Sequence, residues 1–172
     1  EPKPSEWETR PDFFGNLTDH IAVDVAHEVL SIRMKARVDR VQWGRPEDLS
    51  PSQGELAAEL RAVRDLGGTA PAHFLTASPR VVDLPQVTRY AEAATASAGS
   101  VLATVEAFGL ALHADMRFDP DATTVSTPPA EAFALRHGVC QDFTHIMIAG
   151  LRGMGIPAAY VSGFLRTVPP PG

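Results

Sequence analysis

Apolar and polar positions first keep a two-residue rhythm. Ile21, Val23 and Val25 alternate with polar neighbours, and after "AHE" the alternation returns. Leu30, Ile32, Met34, Ala36 and Val38 fall on one face, with Arg33, Lys35 and Arg37 on the other. Such alternation predicts half-buried strands, and the short intervening segment predicts a hairpin. The basic face suits solvent or edge protection better than a polyanion. "GRPEDLSPSQG" at 44–54 is a turn-rich break, and a boundary is expected there. The rhythm then becomes helical. "ELAAELRAVRDL" places Leu56, Leu60 and Val63 on one side and meets Gly67 and Gly68 at its end. "APAHFLTASPRVVDLP" is irregular, with room for one helical turn. Residues 85–115 read as helix with a break at "SAGS", and Val101, Val105, Phe108 and Leu112 share a face in the second half.

"RFDPDATTVSTPP" reads as a loop. Asp119 and Asp121 suit a turn; they are too few, and lack the glycine pivot, for a calcium loop. "STPPAEAFALRHG" predicts a helix capped by Ser126 or Thr127 and ended at Gly138. The next helix is expected to begin near Cys140 and to run to about Arg152, with Phe143, Ile146, Met147, Gly150 and Leu151 as its core stripe. Gly153 and Gly155 stop it, and "IPAAYVSGFL" reads as a strand.

Composition narrows the function. Of the 172 residues, 44% are hydrophobic and 21% charged, enough apolar material for a packed core. A net charge of −6 argues against nucleic acid or an anionic membrane surface as partner. No apolar run approaches a membrane span, and no signal-peptide layout opens the chain. The single cysteine excludes an internal disulfide and a cysteine-rich zinc site, and a lone thiol fits a reducing, cytoplasmic setting. No cofactor is expected. The first residues and the closing "RTVPPPG" both look cut, so the chain reads as a piece of a longer protein.

That cysteine, Cys140, carries the candidate chemistry. Sulfur attacks as thiolate, and a helix N-terminus supplies partial positive charge and unpaired N–H groups that favour the anion and later an oxyanion. The competing reading is a small buried core residue. A nucleophile also needs a base, and none is local. His145 lies about 140° around the helix at 3.6 residues per turn. His137 ends the preceding segment, and Asp142 suits the first helical turn as a complement to the helix dipole. Cys140 with His145 does not converge on a metal, and no further ligands complete a set.

The stretch "RHGVCQDFTHIMIAGLRGMGIPAAYVSGFL" resembles the core motif of the bacterial transglutaminase-like family. The matching residues are Gly138 to Phe143, His145, Leu151-Arg152, Gly155 to Pro157 and Tyr160 to Gly163. "DFFGN" followed by alternating strands resembles the end of that family's β-rich N-terminal region. The resemblance implies an α+β fold: an antiparallel β region over residues 1–43, then a cysteine-proteinase-like core over 44–172, incomplete at its end. It maps Cys140 onto the nucleophile of a Cys–His–Asp triad and gives Asp142, His145 and Gly138 supporting places. The triad histidine and aspartate fall on strands after the "YVSGF" segment, so this chain alone is expected to be inactive. The implied activity is acyl transfer on peptide or isopeptide amides through a thioester. The alternative is a non-catalytic binding or scaffold domain of the same fold. The implied partner is a protein or peptide substrate, and an unfinished sheet beside the Cys140 helix would favour homo-oligomers.

Overall fold

The structure is a computed structural model that describes residues 2–39, 41, 44 and 47–163. It is α+β, and its described residues group into two compact units. One comprises the chain up to Glu47 together with Asp65–Ala70; the other comprises Asp48–Arg64 and the chain from Pro71 onward.

In the first unit, β1 (Glu6–Pro11) pairs antiparallel with β2 (Leu17–Ala22), Glu6 opposite Ala22 and Pro11 opposite Leu17. The turn explains the register. Asp12 accepts hydrogen bonds from the Phe14 and Asn16 N–H groups and from the Asn16 side-chain amide, all at 2.9 Å. Gly15 takes the left-handed conformation at φ 84°. These bonds hold the Asp12 carboxyl below its ordinary range, the Asn16 side-chain bond most of all. Across the ladder, Asp19 accepts from Thr9 Oγ1 at 2.6 Å and from Trp7 Nε1 at 3.2 Å.

The hairpin therefore lies earlier than the alternation at 21–38 predicts, and "DFFGN" is its turn. Residues 23–39 contain no strand, and Ile32, Met34 and Val38 are exposed rather than half-buried. Alternation makes a strand only where a neighbour supplies the ladder, and no described segment pairs with these residues.

The second unit begins with α1 (Gln53–Ala62). Ser52 and Glu55 cap it reciprocally: Ser52 Oγ accepts from the Glu55 N–H at 3.3 Å, and the Glu55 carboxylate accepts from the Ser52 N–H at 2.8 Å. A 3₁₀ turn, Pro71–Phe74, follows. The helical run divides at the predicted break into α2 (Pro85–Ala94) and α3 (Val101–Asp115), with Ser100 capping the Ala103 N–H at 3.1 Å. Next come β3 (Arg117–Phe118), α4 (Pro129–Leu135), β4 (His137–Gly138) and α5 (Cys140–Gly153), with β3 and β4 forming a short parallel pair.

Helix α4 departs from expectation at both ends. No side chain caps it, and it stops at Arg136, which adopts φ 58°. Arg136 lies over the Phe133 and Tyr90 rings at 4.1 and 5.0 Å, contacts that offset the cost of left-handed backbone. Tyr90 in turn donates to Asp115 at 2.7 Å, and burial with that bond pushes its phenol up to about 12.

Helix α5 is the centre of this unit: α2, α3 and α4 all pack on it. The core joins Val87 and Ala91 of α2, Phe108 and Leu112 of α3, Ala132 and Phe133 of α4, and Ile146, Ile148, Ala149 and Leu151 of α5. Predicted stripe residues Phe143 and Met147 are only partly buried, while Asp142, His145, Ile148 and Ala149 join the buried face. Glycines let the helices approach. A Cβ on Gly150 would stand 2.5 Å from the Phe108 ring, and one on Gly153 would stand 2.0 Å from Thr88 Oγ1.

After α5, Gly155 turns the chain at φ 78°, and residues 156–163 run without strand pairing. Ile156 N–H donates back to the Leu151 carbonyl of α5 at 2.9 Å, and among the described residues the backbone tie beyond α5 is Ala158 N–H to the Phe74 carbonyl at 3.0 Å. The strand expected over "IPAAYVSGFL" is therefore absent from its described part; Phe164 and Leu165 lie outside the described residues. The sheet edge invoked for self-association is not built by residues 156–163. No helix among the described residues is long and apolar enough to cross a membrane.

Candidate active site

Cys140 is the first residue of α5 and is exposed. The helix starts there because Val139 is extended (φ −103°, ψ 176°) and its carbonyl takes the first turn's bonds, from the Asp142 N–H at 2.9 Å and the Phe143 N–H at 3.2 Å. The Cys140 and Gln141 N–H groups precede those bonds and head the open end of the helix. The exposed tip answers the competing reading of a buried core cysteine: the sulfur-bearing residue faces solvent.

Asp142 builds the tip. It is 1% exposed, and its Oδ2 accepts from the Val139 N–H at 2.8 Å and from Thr123 Oγ1 at 2.6 Å. Valine has no side-chain acceptor, so the cap is one-sided, carried by the carboxylate three residues in. Asp142 Oδ1 is buried without a hydrogen-bond partner among the described residues. Gly138 makes the arrangement fit. A Cβ there would lie 2.6 Å from Asp142 Oδ2 and 2.9 Å from Asp142 Cβ, so the glycine's role is close approach, not helix termination. Parallel pairing secures the strand that delivers it: the Arg117 N–H donates to the Arg136 carbonyl at 2.9 Å and the Asp119 N–H to that of Gly138 at 3.0 Å.

His145 is buried one turn further along. Burial is the main cause holding its imidazole below the ordinary value of 6.5; Asp142 opposes this, and the Arg80 charge adds to it. Its ring centroid is 5.4 Å from that of Tyr160. Among the described residues no side chain hydrogen-bonds the Cys140 sulfur, and no three His, Cys, Asp or Glu side chains gather to hold a metal ion. The structure thus brings Gly138, Cys140 and Asp142 together at one helix tip and sets His145 aside in the neighbouring wall.

Thr123, Arg80 and Gln141 were not singled out as site residues from sequence. Thr123 reaches Asp142 across 19 positions, and Arg80 Nη1 donates to the Val125 carbonyl at 2.7 Å across 45. No local pattern announces contacts of that span.

Residues 88–170 match the family model of the transglutaminase-like superfamily. This part of the chain is similar to the proteins of that superfamily. Relatives lie in mycobacteria: uncharacterized proteins of Mycobacterium bovis and Mycobacterium tuberculosis are each 30% identical over 176 residues, covering all of this chain and 54% of theirs. The chain thus spans about half the length of these curated relatives. An uncharacterized protein of Mycobacterium leprae is 48% identical over 47 residues, 27% of this chain and 17% of its own. Among solved structures, a "putative cysteine protease" from Cytophaga hutchinsonii superposes with a TM-score of 0.47 at 26% identity, over 62% of this chain and 36% of that one. Within the transglutaminase-like region fall Gly138, Cys140, Asp142 and His145, together with the whole of α5.

Proposed function

We propose that this chain bears the nucleophile of a transglutaminase-like thiol enzyme acting on peptide or isopeptide amides. The observation that carries the reading is Cys140, exposed as the first residue of a buried helix, inside the region that matches the superfamily. Cys140 Sγ, as thiolate, attacks the amide carbonyl carbon and forms a C–S bond. The displaced electron pair moves onto the carbonyl oxygen, where the Cys140 and Gln141 N–H groups at the head of the helix would stabilise it. Collapse breaks the C–N bond, and the amine leaves with a proton donated by an imidazole, giving a thioester. Water or a second amine then attacks the thioester carbon and releases Cys140. The imidazole belongs to the part of the family motif that follows the Tyr160–Gly163 match, so the reaction is assigned to the full-length protein. Asp142, Thr123 and Gly138 act through the helix tip as positioning residues.

The test uses the full-length protein and a peptide carrying an activated acyl group. The expected results are a mass adduct confined to Cys140 and loss of amine release in Cys140→Ala. Amine release at an unchanged rate in Cys140→Ala would overturn the assignment. The second reading, a binding domain of the same fold, draws on the sulfur's lack of a hydrogen-bond partner among the described residues. It predicts no adduct and no release, with peptide binding indifferent to Cys140→Ala.

A further inference from the structure

Two hollows of about 360 and 330 Å³ flank α5, the larger reaching along it from Gln141 to Arg152, and they share three lining side chains, Arg80, Gln141 and His145. Arg80 and Gln141 converge: the Val125 carbonyl accepts from Arg80 Nη1 at 2.7 Å and from Gln141 Nε2 at 3.3 Å. A guanidinium therefore reaches the residue that follows Cys140. Arg152 stands in the wall of the larger hollow, donating through Nε and Nη2 to the Ala158 carbonyl and through Nη1 to Thr76 O and Ser78 Oγ.

Among the described residues every acceptor of these two guanidinium groups is neutral. Among the described residues the one ion pair is Arg10 with Glu8, in the other unit. The carboxylate whose field reaches His145, Asp142, is committed to Val139 and Thr123 at the helix tip. Burial disfavours the charged form of the His145 imidazole, which lines the same hollow. A chain with a net charge of −6 thus presents two arginines to one hollow with no partner carboxylate among the described residues. Guanidinium forks match carboxylates in shape as well as charge.

We propose that this hollow is a subsite for an acidic side chain of the substrate, held by Arg80 with Gln141 as a neutral donor beside Cys140. The proposal rests on Cys140 as the nucleophile and adds a substrate class: acyl donors carrying a carboxylate near the amide that is attacked.

Because Cys140 is the only cysteine in the chain, its alkylation reports one position. The ratio of the iodoacetate rate to the iodoacetamide rate cancels the sulfur's ionisation and accessibility and leaves the local field on an anion. A unit charge within about 5–10 Å in a water-like dielectric is worth roughly two- to fourfold in such a ratio. Arg80→Gln is expected to lower the ratio by a factor of that order, and Arg80→Lys to keep most of it. Arg89→Gln is expected to leave it unchanged, since Arg89 is exposed on α2, whose Thr88 meets the opposite end of α5. About 0.5 M salt should lower the ratio of the unmutated chain, which reads the same field without a substitution. A short amidated peptide containing glutamate should protect Cys140 from iodoacetamide better than its glutamine counterpart, and Arg80→Gln should remove the difference. A ratio unmoved by both Arg80→Gln and salt, or moved equally by Arg89→Gln, overturns the subsite. Failure of the nucleophile assignment shows separately, as amine release that survives Cys140→Ala.

Discussion

Adding one methyl group at Gly138 tests how the helix tip is assembled. In Gly138→Ala the new Cβ would meet Asp142 Oδ2 at 2.6 Å, Asp142 Cβ at 2.9 Å and Asp142 Cγ at 3.0 Å. An ordinary contact needs about 3.4 Å or more, so the carboxylate must retreat by roughly 0.8 Å or the backbone must move. Retreat stretches the bonds to Thr123 Oγ1 and the Val139 N–H, now 2.6 and 2.8 Å, toward the limit of useful geometry. Hydrogen bonds to a charged group contribute about 1.5–3 kcal/mol each, and overpacking alone costs about 1–3 kcal/mol. The sum of partial losses is about 2–4 kcal/mol. For a domain of this size that is a fall in Tm of roughly 5–15 °C. Thermal unfolding followed by circular dichroism measures it. Gly99→Ala is the control: nothing lies within 4 Å of a Cβ there and φ is not in the left-handed range, so Tm should stay within about 2 °C. In an Asp142→Ala background the contacts to Oδ2 and Cγ vanish while that to Cβ stays, so the alanine at 138 should cost less there than in the unmutated chain. Equal cost in both backgrounds, or a Gly138→Ala protein as stable as Gly99→Ala, would refute the account of this glycine as the space for the Asp142 carboxylate.

Two further outcomes are expected. Helix α1 has no buried residue, so its cap matters: Ser52→Ala should cost about 1 kcal/mol locally and speed hydrogen exchange across residues 53–62 about fivefold, with little change in the global Tm. His145 binds a proton less readily folded than unfolded, so the unfolded state holds more protons below about pH 6.5 and stability falls as pH drops through that value toward the folded pKa. Urea midpoints at pH 8 and pH 5 should differ more for the unmutated chain than for His145→Gln, and an identical pH dependence would exclude His145 as a source of the loss.

Much of the second unit was legible in sequence because its signals are local. The break at residues 97–100 works through a serine that caps its own helix, and the start of α5 at Cys140 follows from apolar spacing and from Gly138 just before it. The alternation at 30–38 misled because period two is necessary for a strand but not sufficient; the true hairpin is set by Asp12, whose side chain folds the turn onto itself. Arg136 could not be foreseen as the end of α4, since its left-handed backbone is compensated by rings contributed from Tyr90 and Phe133. At the site, Cys140 and Asp142 were readable from their places in one helical turn. The partners that shape their surroundings, Thr123 and Arg80, come from loops whose approach depends on the folded chain.

The notches at Gly150 and Gly153 fix more than helix packing. They sit ten and thirteen residues beyond Cys140, roughly 15–20 Å along the axis at 1.5 Å per residue. A rod indexed at its far end carries its tip with it: sliding α5 by even one residue would drive the Phe108 ring or the Thr88 hydroxyl into a side chain. The sulfur's coordinates are therefore dictated from the opposite pole of the unit, and substitutions there should shift the Cys140 end without ever touching it.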